Sequence, residues 1–597
     1  MDLNPWAIAT IAVVAAVTFY LGFHSSRLAN TTPDFLLARR LVRSRRNAAA
    51  LAGDYLSASS FLGIAGLIMQ SGVDALWYSV GCVAGYLALL LFVAAPLRRS
   101  GAYTLPDFAE IRLGSMGLRR LCTAFTVFLV AFYLLPQLQG AGLTLATVMP
   151  VPSWLGEAVV VVLVTINVLG GGMRAVTVVQ AFQYWVKLFA IAAPTFVLIA
   201  VIAQGNVPST SVSAPPMFSR DTTVSVHTTV ELSAGAPVRV RAHGTVDDAA
   251  VDGTTFFWPA NTSHTVDAGT TLDFPAGTVV PVVTGEARDN GPWLTPESGG
   301  TTGLLGTYSM LIALCLGAMG LPHVLVRFYT NPSGRSARRS TLHVLLLLGL
   351  FYLFPTILGA MSRLYVPELL VTGQTNASIL LLPQKLLPGA AGQILGAILV
   401  AGAFTAFLST SSGLLTAVAG VLSTDLLPGR VRDFRWATVL SCLVPMALAI
   451  VLPAENLALT IGLAFTLAAS TFGPVLLAGI WWRGLTWVGA AAGIVVGGGL
   501  VIAALVLNVI SQFTGRWAPP LLVQPALITV PTAFLVVFLV SKATARHRPR
   551  DVNRLLLRMH APDTLGFFQD RDGTEPDSGP DPGDRPNLAN GKHSRST

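Results

Sequence analysis

The sequence predicts an all-α polytopic membrane protein with about thirteen transmembrane helices and a small β-rich extracytoplasmic insertion. The 597 residues are 53% hydrophobic and only 11% charged, against about 25% charged in a soluble globular chain, and mean hydropathy is +0.65. Apolar runs long enough to cross ~30 Å of hydrocarbon recur at roughly 6–23, 47–70, 75–96, 121–148, 154–171, 177–203, 304–326, 342–365, 389–420, 436–452, 457–481, 485–510 and 521–541. One stretch, 204–303, interrupts them with Thr, Val, Gly and Pro and with short alternations such as Val224, Val226 and Val238, Val240 and an isolated Val279, as expected of short strands. A cytosolic enzyme, a nucleic-acid binder and a disordered regulator are all excluded by this composition. The net charge of +9 belongs instead to loops on the cytoplasmic side of a membrane.

Orientation follows from where the Arg and Lys residues fall. With the N-terminus outside, the inner connections before the tail hold 20 of them, and the short outer connections hold only Arg363, Lys385 and Arg516. The tail opens with Lys542, Arg546, Arg548 and Arg550 and falls inside. The insertion carries a net −6, leaving +15 for the rest. The expected organisation is a leading helix and cytoplasmic loop (1–46), a five-helix unit (47–203), the insertion (204–303), a second five-helix unit (304–481), two trailing helices (482–541) and a cytoplasmic tail (542–597), disordered after 570. Met1–His24 lacks a basic n-region and a clear cleavage site, so it reads as a span rather than a removed signal. Cys82, Cys122, Cys315 and Cys442 all lie in apolar runs, so no disulfide framework is expected.

The most informative feature is a pair of interrupted spans, Ala52-Gly53-Asp54-Tyr55-Leu56-Ser57-Ala58-Ser59-Ser60 and Gly317-Ala318-Met319-Gly320-Leu321-Pro322-His323. Each opens one five-helix unit, and an odd number of helices per unit inverts one against the other. Gly- or Pro-interrupted segments in matching positions point to a transporter binding site, because unwound backbone persists at membrane depth only where protein or a cavity satisfies it. A third element is Ala406-Phe407-Leu408-Ser409-Thr410. Positions i, i+3 and i+4 share one helix face, so the Ala406 carbonyl and the Ser409 and Thr410 hydroxyls converge. With the Gly53 and Leu56 carbonyls they make five neutral oxygens, the donor type hard cations prefer. On spacing alone, hydroxyls bridging packed helices are the commoner use of such a face.

The run Ala52–Gly63, with Ser71-Gly72-Val73-Asp74, Tyr103-Thr104-Leu105-Pro106-Asp107, Gly171-Gly172-Met173-Arg174, Gly320-Leu321-Pro322-His323, Arg327-Phe328 and Leu557–Asp563, resembles the sodium:solute symporter family. It is most similar to the cation/acetate (monocarboxylate) branch. The resemblance spans all but 204–303 and the last thirty residues. It implies a LeuT-like 5+5 inverted repeat with one leading and two trailing helices, and sodium-driven secondary uptake. The sodium site it implies falls on Gly53, Leu56, Ala406, Ser409 and Thr410, and the solute cavity on Ser57, Ser59 and Ser60. Some members place an Asp in the span corresponding to 177–203, where it supports a second sodium. This chain has Gln180 there, with Gln183 three residues on. A neutral amide cannot neutralise a further cation, so a single coupling sodium is expected, with proton coupling as the open alternative.

Asp54 lies in the first break; its role is either coupling and gating or capping of exposed amides. Lys187 lies 13 residues past Arg174, about 20 Å along a helix, too deep to snorkel easily. It either pairs with a buried carboxylate such as Asp54, supplies positive potential for an anionic solute, or reaches a polar crevice. Gln137 is placed to hydrogen-bond a carboxylate, while Gln139 fits helix packing. His323 either contacts solute or packs as a satisfied core histidine. The sequons at Asn261 and Asn376 carry no weight outside a eukaryotic secretory context. No metal-ligand spacing, phosphate loop or catalytic constellation points to an enzyme, and no cofactor is expected beyond the coupling ion. The expected function is sodium-coupled symport of acetate, propionate or pyruvate across a bacterial plasma membrane. Symport of another small solute, or a sensor retaining a transporter fold, are the alternatives.

Overall fold

The computed structural model describes residues 4–26, 44–205, 214–296, 300–425, 431–452, 457–514 and 517–565. The expected tail disorder after 570 and most of the first Arg-rich loop lie outside the described residues. Among them, twelve helices are long and apolar enough to cross a membrane. In order, the main helices are α1 (Pro5–Ser26), α2 (Ser44–Tyr55), α3 (Ile64–Ser71), α4 (Leu76–Ala88), α5 (Met116–Val148) and α6 (Ser153–Ala203). After the sheet come α7 (Gly300–Gly317), α8 (Pro322–Tyr329), α9 (Gly334–Tyr365), α10 (Ala390–Asp425), α11 (Val431–Val451), α12 (Leu457–Trp481), α13 (Trp487–Phe513), α14 (Ala526–Ala543) and α15 (Val552–His560).

One feature reconciles the twelve candidate spans with thirteen crossings. The apolar stretch Ser59–Arg99 contains a turn at Gly72–Ala75. On one side of that turn Ser44, at the start of α2, hydrogen-bonds Ser336 at 2.8 Å. On the other, Arg98 reaches the carbonyls of Asn331 and Pro332. Both ends therefore lie at the Arg-rich end of the bundle, and the chain has gone up and come back. Gly72 makes the turn possible: its φ is +61°, and an added Cβ would overlap the Trp293 carbonyl.

Two of the twelve spans, Ser153–Gly170 and Ala175–Ala203, lie in α6, where a loop at 172–176 was expected between them. Helical backbone instead runs through all 51 residues. It nevertheless doubles back. Asn167 and Gln180 lie thirteen residues apart, about 20 Å on a straight helix, yet they bond Ser412 and Ser409 within one turn of α10. The expected connection is thus a helical hairpin in a Gly-rich segment. Between Tyr365 and Ala390 the sequence shows only an outer connection; there the chain forms two short helices, Glu368–Thr372 and Ser378–Leu386, the latter packed along α10.

The expected strands form a seven-stranded antiparallel sheet in the order β1-β6-β3-β5-β2-β7, with β4 paired to β3. The strands are β1 (Thr222–Ser225), β2 (Val230–Ser233), β3 (Val238–Val246), β4 (Ala249–Trp258), β5 (Ser263–Val266), β6 (Thr271–Phe274) and β7 (Val282–Val283). In β3 the two-residue period is direct: Val238, Val240 and Ala242 are buried while Arg239 and Arg241 are exposed. Val279 makes only an isolated bridge to Met217.

The sheet domain is tied to the end of the first broken span. Trp293 Nε1 donates to the Ile68 carbonyl at 2.7 Å. Buried Arg363 of α9 donates to Asn290 Oδ1 and the Met69 carbonyl, both at 2.9 Å, and to the Ala287 carbonyl at 2.7 Å. Arg363→Met orphans these buried acceptors, at a cost of about 1–3 kcal/mol each. The expected result is faster amide exchange across residues 68–72 and 286–293, with the rest of the bundle unchanged. Exchange that stays at the wild-type rate in both segments counts against this clamp.

At the opposite end, α15 docks through Asp563. Its carboxylate accepts from Arg99 Nε at 2.8 Å and from the Arg335 amide at 3.0 Å. Burial pushes the Asp563 pKa up, but Arg99 and the backbone amides outweigh it and hold the group below its ordinary 3.8. A depressed carboxylate stabilises above its unfolded value and loses that contribution as pH falls through the folded one. Amide protection of Val552–His560 should therefore drop on acidification below 3.8, and Asp563→Asn should remove that dependence.

The paired helix breaks and the site between them

Each end of the first break leaves backbone groups that helix geometry cannot satisfy, and side chains from other helices take them. Past Tyr55 the chain leaves helical geometry at Leu56–Ser57 and resumes through a wide turn, Ser59–Gly63, into α3. The Gly53 carbonyl accepts from Ser409 Oγ at 2.7 Å and the Asp54 carbonyl from Thr410 Oγ1 at 2.6 Å. Where the helix restarts, the Ala58 amide donates to Gln137 Oε1 at 2.9 Å. Gly53 lies so close to α6 that an added Cβ would overlap the Gln180 carbonyl. The second break is built differently, by a tightened turn and a proline. A 3-10 turn, Ala318–Gly320, leads to Leu321 in an extended conformation, as the residue before proline favours, and Pro322 then starts α8 at the position where its missing N–H costs nothing.

The five oxygens expected for sodium are only partly gathered. Gly53, Leu56 and Ser409 face one point, the Ala406 carbonyl accepts from Ser409 Oγ at 3.2 Å, and the Thr410 hydroxyl turns to Asp54 instead. At that point lies the ammonium of Lys187. Its Nζ donates to the Gly53 carbonyl at 2.5 Å, to the Leu56 carbonyl at 2.7 Å and to Ser409 Oγ. Two unit charges ~3 Å apart repel by about 5 kcal/mol even at an effective dielectric of ~20. Sodium and this ammonium therefore do not fit the same oxygen set together.

Asp54 is fully buried, and its ion-pair partner is Arg327 of α8, with Arg327 Nε 3.8 Å from Asp54 Oδ2. Neither carboxylate oxygen has a hydrogen bond among the described residues. Arg327 is held from α6 by Thr177 Oγ1 and Gln180 Oε1, while Gln180 Nε2 donates to the Ser409 carbonyl at 2.6 Å. Gln180 thus bridges three helices with an amide where a carboxylate would add charge. Asn47 Nδ2 closes the group on the Arg327 carbonyl at 3.2 Å. Formally one carboxylate faces two cations, Lys187 and Arg327.

The expected solute-lining residues are all buried but differ in what they touch. Ser59 and Ser60 share hydrogen bonds with the hydroxyls of Tyr78 (2.9 Å) and Tyr352 (3.2 Å). Gln137 Nε2 and both ring nitrogens of His323 have no partner among the described residues. His323 packs edge-on to Tyr133, ring centres 5.2 Å apart, and Tyr133 and Tyr55 both pack on Phe465. Gln139 instead bonds the Leu452 carbonyl at 3.1 Å, a packing contact. Sequence reasoning did not assign Arg327, Tyr78, Tyr133 or Tyr352 to the site. Arg327 carried a signal, an ionisable residue at the end of an apolar run; the tyrosines carried none.

A cavity of about 300 Å³ opens at the Arg-rich end, lined by Tyr103, Asp107, Arg119, Met173, Val326 and Thr416 among others. Met173, Val326 and Ala417 form a small apolar cluster of their own. Val326 adjoins Arg327, Met173 accepts from Thr177, and Ala417 lies one turn beyond Gly413, which abuts Asp54. About one turn of helix therefore separates the cavity from the buried charges.

Two five-crossing units, each opened by a broken helix, with polar side chains closing the first break, define a membrane transporter of the LeuT-like 5+5 inverted-repeat class. A solved sodium-coupled sialic acid symporter shares the fold at TM-score 0.58 and 13% identity, covering 91% of this chain and 98% of its own. The chain belongs to the sodium:solute symporter family, which matches residues 35–245 and 278–497. It is 29% identical over 555 residues to a monocarboxylic acid transporter of Corynebacterium glutamicum, covering 88% of this chain and 89% of that one. It is 28% identical over 559 residues to an uncharacterized symporter, YwcA, of Bacillus subtilis, covering 90% and 94%.

Proposed function

We propose that the protein is a secondary active transporter, not an enzyme, that carries a small monocarboxylate such as acetate, propionate or pyruvate into the cell by alternating access. The observation that carries this reading is the set of unsatisfied donors between the breaks. Gln137 Nε2 stands on the first break and the His323 ring on the second, both buried without partners among the described residues. Buried polar groups left unpaired are costly, and a small carboxylate offers acceptors to both. The excess positive charge around Asp54 favours an anion over a neutral sugar or a zwitterion, and the name of the Corynebacterium relative points the same way. Ser57, Ser59 and Ser60 complete the lining on the first break. Membrane insertion is proposed with the N-terminus outside and the C-terminus cytoplasmic, in a bacterial plasma membrane; the cavity at the Arg-rich end is then the release side.

Sodium is the coupling ion that the family implies, and the site that this implication gives falls on Gly53, Leu56, Ala406, Ser409 and Thr410. In the arrangement described, that set takes sodium only once Lys187 has left it. The test of the solute reading is counterflow in proteoliposomes, with labelled pyruvate exchanged against a panel of unlabelled monocarboxylates, amino acids and sugars. Exchange supported by monocarboxylates alone is the expected result. No exchange of labelled pyruvate against any monocarboxylate, unlabelled pyruvate included, removes the reading.

A further inference from the structure

We infer that the ammonium of Lys187 is the resident cation of the oxygen set at the first break, and that this protein binds no sodium there. A lysine ammonium has three N–H donors and no acceptor, and the site presents three acceptors to it: the Gly53 carbonyl, the Leu56 carbonyl and Ser409 Oγ. The match uses every donor, and all three acceptors are neutral. These are oxygens that an alkali ion would otherwise take, so the side chain reproduces the ion's contacts while being covalently tied to α6.

The tether is itself held in place. Gln180 lies seven residues before Lys187, two turns along the same face, and it bonds the Ser409 carbonyl at 2.6 Å. Gly53 packs directly on the backbone of α6 at Gln180, so the lysine stem enters the break from a helix in contact with it. A tethered cation loses less freedom on occupying the site than a free ion does.

The charge balance points the same way. Among the described residues, the charged groups near Nζ are Asp54 on α2 and, beyond it, Arg327 on α8. The group that α10 presents to Nζ, Ser409 Oγ, is neutral. A sodium ion added to this group would set three cations against one carboxylate. The disagreement with the family's implied coupling ion is therefore specific to a residue of this chain, and it predicts that removing that residue opens the site.

The test is equilibrium binding of radioactive sodium to the purified full chain. The expected result is that wild type shows no saturable sodium binding that depends on Ser409, and that Lys187→Ala gains such binding, lost again in Lys187→Ala/Ser409→Ala. Saturable binding to wild type that Ser409→Ala removes overturns the inference, and that measurement needs only the wild-type protein and one conservative variant. The transport consequence rests on the symport reading above and is measured separately. Pyruvate uptake by proteoliposomes should be unchanged when external sodium is replaced by choline at fixed pH and membrane potential. Loss of uptake on that replacement overturns the inference while leaving monocarboxylate transport standing. An absence of counterflow with every monocarboxylate removes the transport reading and leaves the binding result to stand on its own.

Discussion

Asp54→Asn should abolish transport and lower stability together, the largest effect expected of any near-isosteric change in the chain. Asn keeps the shape of the side chain, so packing is preserved, but Arg327 and Lys187 then share a buried region with no counter-charge. Removing one partner of a buried ion pair typically costs about 3–5 kcal/mol, a large fraction of a membrane bundle's margin. The measurement is thermal unfolding followed by fluorescence-detected size exclusion, beside pyruvate counterflow. A charge explanation also predicts compensation. Asp54→Asn/Arg327→Gln carries one buried cation rather than two, so it should unfold at a higher temperature than Asp54→Asn alone. If the double variant is no more stable than the single, the loss came from shape or hydrogen bonding. If Asp54→Asn matches wild type in both readouts, the pairing of Asp54 with Arg327 at 3.8 Å has no energetic content.

How far the sequence revealed this site depends on which physical signal each residue leaves. The breaks were legible because Gly, Pro and Asp are expensive inside an apolar helix and are retained there for a reason; both breaks fall at the predicted residues. The Ser409–Thr410 face was legible from helical spacing, yet its two hydroxyls serve different carbonyls, Gly53 and Asp54. Spacing places a hydroxyl on a face and does not choose its partner. Lys187 stood out by its depth, but its partners come from helices more than a hundred residues away, and no local pattern encodes that distance. Asp54 was expected as one possible partner for it; the ion pair within 4.0 Å is made by Arg327. Both spans of α6 fall where the sequence places them, but the loop expected at 172–176 is helical, for a related reason. A Gly-rich junction with one Arg looks like a loop, although nothing in it forbids helical hydrogen bonding through a sharp bend.

Gly413→Ala is the sharpest check of the arrangement, because ordinary helix energetics and the structure predict opposite signs. Inside a helix, Ala is more favourable than Gly by about 1 kcal/mol, so at an open position the substitution raises stability. Gly413 lies in the interior of α10, one turn beyond Ser409, where a Cβ would overlap the Asp54 carboxyl carbon and both its oxygens. Interiors this closely packed do not absorb a methyl group without displacement, and overpacking costs typically about 1–3 kcal/mol. Either the carboxylate rotates off Arg327, or α10 moves from α2 and draws Ser409 away from the break. Both routes disturb the charge group, so unfolding temperature and counterflow should fall together. Gly413→Ala/Asp54→Ala should recover part of the packing loss while remaining inactive, since the overlapping carboxylate is gone but so is the counter-charge. A stabilised, fully active Gly413→Ala protein means that Asp54 does not sit against α10, and the geometry of the first break must then be redrawn.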